Sequence, residues 1–158
     1  MYAPDYGEIA TPIGTIVIAV SQNSLESIKI AAHAPLRAPM SPLVREAAMQ
    51  ISAWFAGKAY GFSLPLAPPA TEHAAILRAG MINIRYGHTI SYGALACQVG
   101  SGARAVGQAC ARNPFPIIVP CHRVLAAGGV LGAYSAGEGP ATKAWLLEFE
   151  RKNQPDIG

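Results

Sequence analysis

Near the N-terminus two apolar runs, "GTIVIAV" and "ESIKIAA", flank the polar stretch "SQNSL", a pattern that predicts a β-hairpin. The period then changes. Ser41 suits an N-cap, Pro42 the first helical position and Gly57 the C′ position, so a helix is expected over 42–55. "FSLPL" is expected to return as another strand, and the proline-rich "PLAPPAT" reads as a linker. Beyond it the signals are helical, with Thr71 as a cap. In "SYGALACQVGSGARAVGQACARNP", Ser91 is expected to cap a short helix ending near Gly100. Ser101 is expected to cap a second, which stops before Asn113 because Pro114 disfavours helix there. "PATKAWLLEFERK" predicts a last helix with Pro140 at its first position. The pattern thus predicts an α/β protein: a small sheet subdomain with a helix over 1–66, and a mostly helical domain over 67–158. The two short helices suggest a helix-turn-helix.

Composition narrows the class. The chain is 51% hydrophobic and 13% charged, roughly half the usual charged fraction of about 25%. Its apolar runs fall well short of the ~20 residues that span a bilayer, and its start lacks the basic-then-apolar order of a signal peptide. No membrane association is expected. The 3 cysteines are an odd number with no CxxC spacing. Neither a disulfide framework nor a metal site is therefore expected, and a reducing cytoplasm is. Net charge is +3, unevenly spread. Between His73 and Gly137 there is no Asp or Glu, whereas Arg78, Arg85, Arg104, Arg112 and Arg123 all fall there. Such a single-sign segment fits a polyanion; arginines capping the helices of a core-rich segment would read the same way.

The second helix of the pair carries Ala103, Ala105, Gly107, Ala109 and Ala111. A helix reading the major groove carries long polar side chains, whereas a bare one suits close approach to a minor groove about 6 Å wide. Arg104 alone projects, and a single long side chain can wedge into a duplex. A tightly packed core helix with one exposed arginine is the other reading. Downstream, "IIVPCHRVL" sets a cysteine, a histidine and an arginine after a proline and an apolar run that is expected to be a strand. The thiolate is the nucleophile, and a neighbouring histidine or cation lowers a thiol's pKa. In an extended strand Cys121 and His122 would face opposite ways. A working pair needs either a turn after Pro120 or a bridging water. A histidine base also needs an orienting group. In the last helix Glu148 can pair with Lys152 on the solvent side, while Glu150 lies on an apolar face and must be paired. Its partner is His122 or an arginine.

Taken together, "YGHTISYGALA", "ARAVGQA", "NPFPIIVPCHRV", "GVLGAYS" and "KAWLLEFE" resemble, in order and near-identical spacing, the catalytic domain of O6-alkylguanine-DNA alkyltransferases, the methylated-DNA–protein-cysteine methyltransferases. "TPIGTIVIAV" and "WFAGKAYGFSLPL" extend the resemblance over nearly the whole chain. It implies that Cys121 accepts the alkyl group, that His122 is its base through a water, and that Glu150 holds the histidine. Arg104 matches the finger that fills the space of an extruded base, and Tyr92 assists flipping and hydrogen-bonds the purine. Asn113 matches the hinge before the acceptor; Val124, Tyr134 and Ser135 match the guanine pocket. Ala103, Ala105 and Gly107, with Arg112 and Arg123, are the remaining expected DNA contacts. The implied partner is duplex DNA carrying O6-alkylguanine, approached from the minor groove by a monomer and repaired once per molecule without a cofactor.

The pattern departs from the family in places. "VGSGARAVG" is shorter before the finger, and "SAGEGPAT" is longer, with Ala136 where glycine is common. His73 and Leu77 stand where aromatics are usual, which reads as repacking. No cysteine precedes Cys97, so the zinc ligands of some relatives have no counterpart. Cys97 and Cys110 are expected as small core residues, and His33 and His88 at the surface or in turns. Arg123 can reach a phosphate or pair with a carboxylate inside the domain. Two other activities compete. A lesion-binding protein of the alkyltransferase-like type would lack the acceptor, commonly having tryptophan there. A cysteine hydrolase would need an oxyanion hole, of which the sequence has no sign.

Overall fold

A computed structural model describes residues 5–21, 23–31 and 41–155. The expectation for His33 lies outside them. The chain divides into two compact units, Met1–Ala67 and Pro68–Gly158.

The first unit holds three antiparallel strands in the order β1 (Asp5–Thr11), β2 (Gly14–Ser21), β3 (Ser24–Ala31), with α1 (Pro42–Phe55) packed on β1 and β2. The β2–β3 hairpin is the expected one. β1 was not foreseen, because "DYGEIAT" buries only Gly7 and so has no apolar stripe to read. On β3, Leu25 and Ile28 both reach the core although their spacing should put them on opposite faces. The register slips between Ala19 and Val20, which pair with Ser27 and Leu25, so Glu26 is an extra residue that restores the phase. Ile16, Ile18, Val44, Ile51 and Trp54 complete this core. Ser41 caps α1 by accepting from Val44 N, Pro42 is at its start, and Gly57 follows its end at φ 73. "FSLPL" is not a strand. Leu66 makes one isolated bridge to Leu25, and Pro65, lacking an N–H, supplies only its carbonyl to Leu25 N.

The second unit runs α2 (Glu72–Ile82), β4 (Ile90–Ser91), α3 (Tyr92–Val99), α4 (Ala103–Ala111), β5 (Val124–Leu125) and α5 (Pro140–Lys152). Thr71 and Ser91 cap α2 and α3 as expected, and Gly100 ends α3 in the left-handed region at φ 68. α2, α3 and α4 pack on one another. At Gly80 a Cβ would lie 2.7 Å from Val99 Cγ1, so glycine permits the close α2–α3 approach. Leu77, Met81, Leu95, Val106, Phe115 and Leu146 form the core.

Three expectations fail here. Gly102, not Ser101, is the N-cap of α4; the Ser101 hydroxyl is engaged by His73 Nε2 at 3.2 Å. His73 is thus an exposed bond to the inter-helix turn, whereas Leu77 is core. Cys97 is exposed, since only Leu95 and Ala96 of α3 face inward; Cys110 is buried as expected. The apolar run before Cys121 is a buried turn rather than a strand, with Ile117 at φ 75. The run is apolar because it is interior, and periodicity alone cannot separate a short buried strand from a buried turn.

Candidate active site

Between α4 and Cys121 the loop is tied by Asn113. Its Oδ1 accepts from Phe115 N at 2.9 Å, and its Nδ2 donates to Val119 O at 2.8 Å and to Cys121 Sγ at 3.2 Å. Holding a β-branched residue at positive φ costs energy that such bonds must offset. The chain does turn after Pro120: Cys121–Arg123 form a single 3-10 turn leading into β5, which pairs in parallel with β4.

Cys121 is 3% exposed. Burial pushes its thiol pKa up, while the Asn113 hydrogen bond and the Lys143 charge pull it down. His122 is fully buried, and its Nε2 meets Glu150 Oε2 at 2.6 Å. Burial, then the charges of Arg123 and Lys143, lower the His122 pKa against the opposing pull of Glu150. The imidazole is therefore neutral, and its proton must sit on Nε2 to bond the carboxylate. Nδ1 is left as a lone pair, and it is buried with no hydrogen-bond partner among the described residues. A proton acceptor stands open in the residue next to the thiol.

Glu150 is 1% exposed and serves Arg123 as well as His122. Arg123 Nε and Nη2 reach its oxygens at 2.8–3.1 Å, and Gly87 N donates to Oε1 at 3.1 Å. Burial works to raise the Glu150 pKa, but the hydrogen bonds from His122 and Arg123 and the Arg123 charge prevail and hold it at about 2. Arg123 Nη1 also donates to Ile84 O at 2.7 Å. The expectation that Arg123 contacts DNA is thus corrected: it is 6% exposed and spends its donors inside the domain. On the solvent side Glu148 pairs with Arg151 and, at 3.8 Å, with Lys152.

The remaining expected residues divide into two groups. Tyr92 opens α3, and its pKa is raised by burial and then by Cys110 and Cys121. Tyr134 is pushed up by burial and then by Cys121, and its buried hydroxyl has no hydrogen-bond partner among the described residues. Val124 is buried, and exposed Ser135 donates to Ala111 O at 3.2 Å, tying the pocket loop to the end of α4. Of these, Tyr92 and Tyr134 feel the charge of Cys121. The other group lies on α4, where Ala103, Arg104 and Arg112 are exposed and Ala105 and Gly107 half-buried. A Cβ at Gly107 would meet nothing within 4 Å, and only Val106 and Cys110 of this helix are buried. Gly107 therefore does not serve internal packing, which weighs against the core-helix reading. A cleft of about 410 Å³ lies between α2 and α4, with Leu77, Arg78, Gln108, Asn113 and Val119 in its walls, but Cys121 does not line it.

Two residues went unforeseen. Lys143, in the first turn of α5, is 1% exposed, and its Nζ donates to Val124 O at 2.7 Å. Gly132, at φ 76, leaves room for Tyr92: a Cβ there would lie 3.0 Å from the hydroxyl. No local signal marks either, since the sequence shows a lysine among helix formers and one of many glycines.

Residues 73–152 match the family described as 6-O-methylguanine DNA methyltransferase, DNA binding domain. A methylated-DNA–protein-cysteine methyltransferase of Methanosarcina acetivorans is 37% identical over 153 residues, spanning 92% of this chain and 97% of that one. One from Mycobacterium leprae is 39% identical over 148 residues, spanning 89% and 88%. Among solved structures, the Mycobacterium tuberculosis O6-methylguanine methyltransferase matches with TM-score 0.82 and 34% identity, covering 97% of this chain and 96% of that one. The same organism's OGT in complex with DNA matches at TM-score 0.82 and 35% identity, covering 95% and 94%. With these matches over nearly its whole length, and Cys121, His122 and Glu150 all buried, the chain belongs to the methylated-DNA–protein-cysteine methyltransferase family.

Proposed function

We propose that this chain repairs O6-alkylguanine in duplex DNA by moving the alkyl group onto Cys121, once per molecule. The observation that carries the reading is the Glu150–His122 pair at 2.6 Å, with Nδ1 of a neutral, fully buried histidine left open beside the thiol. His122 takes the Cys121 proton through a water, and Glu150 stabilises the imidazolium that results. The thiolate attacks the alkyl carbon. A carbon–sulfur bond forms, the carbon–O6 bond breaks, and its electron pair departs with guanine; Tyr92 donates a proton to the ring and regains one from solvent, while the imidazolium of His122 returns the thiol's proton to solvent. The thioether left on sulfur has no group nearby able to cleave it, so the protein is consumed.

Reaching the alkyl carbon requires the nucleotide to leave the stack, at a cost of a few kcal/mol. The bare face of α4 suits the minor groove, and Arg104 would fill the gap left behind. Ala103, Ala105 and Gly107 allow close approach, and Arg112 meets phosphate. Tyr134, Val124 and Ser135 border the base, with Asn113 joining α4 to the acceptor loop. Residues 67–158 then hold both DNA binding and acceptor chemistry. DNA as substrate and free thiols at Cys97, Cys110 and Cys121 fit a cytoplasmic setting.

The test is to mix the protein with duplex DNA containing O6-methylguanine and map the methyl group by mass spectrometry. Stoichiometric methyl on the Cys121 peptide, absent from Cys121→Ser, is expected. Binding without transfer would instead mark a lesion sensor, and neither would leave a hydrolase.

A further inference from the structure

The cleft between α2 and α4 has no part in the chemistry above, and Cys121 does not line it. Its volume of about 410 Å³ lies within the range of about 300–1,000 Å³ common to small-ligand sites. Leu77 and Met81 of α2, Ala109 of α4 and Val119 of the acceptor loop make it apolar. Arg78 brings a cation to it from α2, and Arg112 brings another from the end of α4. None of its lining residues is acidic. An occupant apolar in body and anionic at one end complements such walls.

Arg78 sets the shape of that occupant. Its guanidinium carbon lies 5.2 Å from the centre of the Phe115 ring. Phe115 is 1% exposed and takes no part in the cleft wall, so one side of the guanidinium is covered and the other is what Arg78 offers to the cleft. Burial lowers the Arg78 pKa, as expected of a guanidinium partly shielded from water. A planar guanidinium stacks on aromatic faces, more strongly when partly desolvated. Nucleobases stack on such planes. Arg112 is exposed, and its forked donors match the oxygens of a phosphate.

We propose that the α2–α4 cleft is a second nucleotide site, separate from the acceptor pocket: a base stacks on Arg78 while its phosphate meets Arg112. The occupant is one unstacked nucleotide of a DNA strand. That choice of source rests on the repair reading, in which α4, one wall of the cleft, also faces the duplex. Cleft and acceptor are one side chain apart, since Asn113 lines the cleft and its Nδ2 donates to Val119 O at 2.8 Å and to Cys121 Sγ at 3.2 Å.

Gln108 and Asn113 both line the cleft, so NMR of their side-chain amides in the isotope-labelled native protein follows occupancy. Titration with a pentanucleotide of deoxyadenosine, which carries no alkylated base, should shift both amides along one saturable curve. No shift of either overturns the site. If deoxyadenosine monophosphate saturates them as readily as the pentanucleotide, the assignment to a strand is overturned. Arg78→Lys keeps the charge but removes the flat face, and should weaken binding about tenfold, the loss of one stacked base. Unweakened binding in that variant overturns the stacking. Ala74→Phe, which fills the cleft from α2, should abolish the shifts; if it fails to fold, Arg78→Lys carries the test. Shifts that persist in both variants place the oligonucleotide outside the cleft and overturn the proposal. Methyl transfer to Cys121 without cleft binding sinks this inference alone, whereas cleft binding without transfer sinks the repair reading alone.

Discussion

Glu150 accepts from His122, from Arg123 twice over and from Gly87 N, so one buried carboxylate orients the His122 ring and neutralises an interior cation together. Removing its charge strands Arg123. Breaking such a pair by changing one partner costs about 3–5 kcal/mol, whereas replacing both with apolar groups is often near neutral. Glu150→Gln should therefore lower urea-unfolding stability by an amount of that order, and adding Arg123→Met should restore part of it. If the double variant is no more stable than the single one, the pairing does not carry the loss. At this scale the sequence posed the correct question without answering it. An apolar-face glutamate must be paired, but His122 and an arginine were equal candidates, and the fold supplies both. Arg123 looked available to phosphate because a residue's own letters say nothing of whether its side chain points inward.

α4 makes the corresponding case for elements. Its alanines and Gly107 admitted two readings, and the open space beside Gly107 favours the groove-facing one. Replacing Gly107 with leucine should leave the fold intact or gain up to about 1 kcal/mol from helix propensity. It should weaken duplex binding about tenfold or more, as the added side chain holds the backbone away from a groove about 6 Å wide. Thermal melting and fluorescence anisotropy on one preparation would check both halves. Unchanged DNA affinity would remove α4 from the interface. Caps and breakers at Ser41, Thr71, Ser91, Gly100 and Pro140 were readable because each acts on backbone groups within a turn of itself. β1 was not, since its partner β2 supplies its hydrogen bonds and its own residues bury little. The loop before Cys121 was misjudged as strand for the related reason that interior burial, whatever the backbone shape, selects apolar residues.

Across the whole molecule the buried charges set the response to acid. The folded His122 pKa lies below its ordinary value and Glu150 is held at about 2. The unfolded chain therefore binds more protons than the folded one below pH ~6.5, and again below ~4.3. Both groups give stability that is complete above those unfolded values and is lost as pH falls through the folded ones. Urea midpoints measured from neutral pH downward should decline in two stages, the second continuing toward pH 2. In Glu150→Gln the lower stage should shrink. A flat profile between pH 7 and 4 would contradict the buried neutral histidine.

The order of helices and turns and the family were present in the linear chain. These depend on local backbone chemistry and on motifs a few residues long. The tertiary structure alone decided that Arg123 is spent on Glu150, that Cys97 lies outside while Cys110 lies within, and that Lys143 is buried against the Val124 carbonyl. Burial and pairing arise when segments far apart in sequence meet, and in a low-dielectric interior they determine what each charge can do.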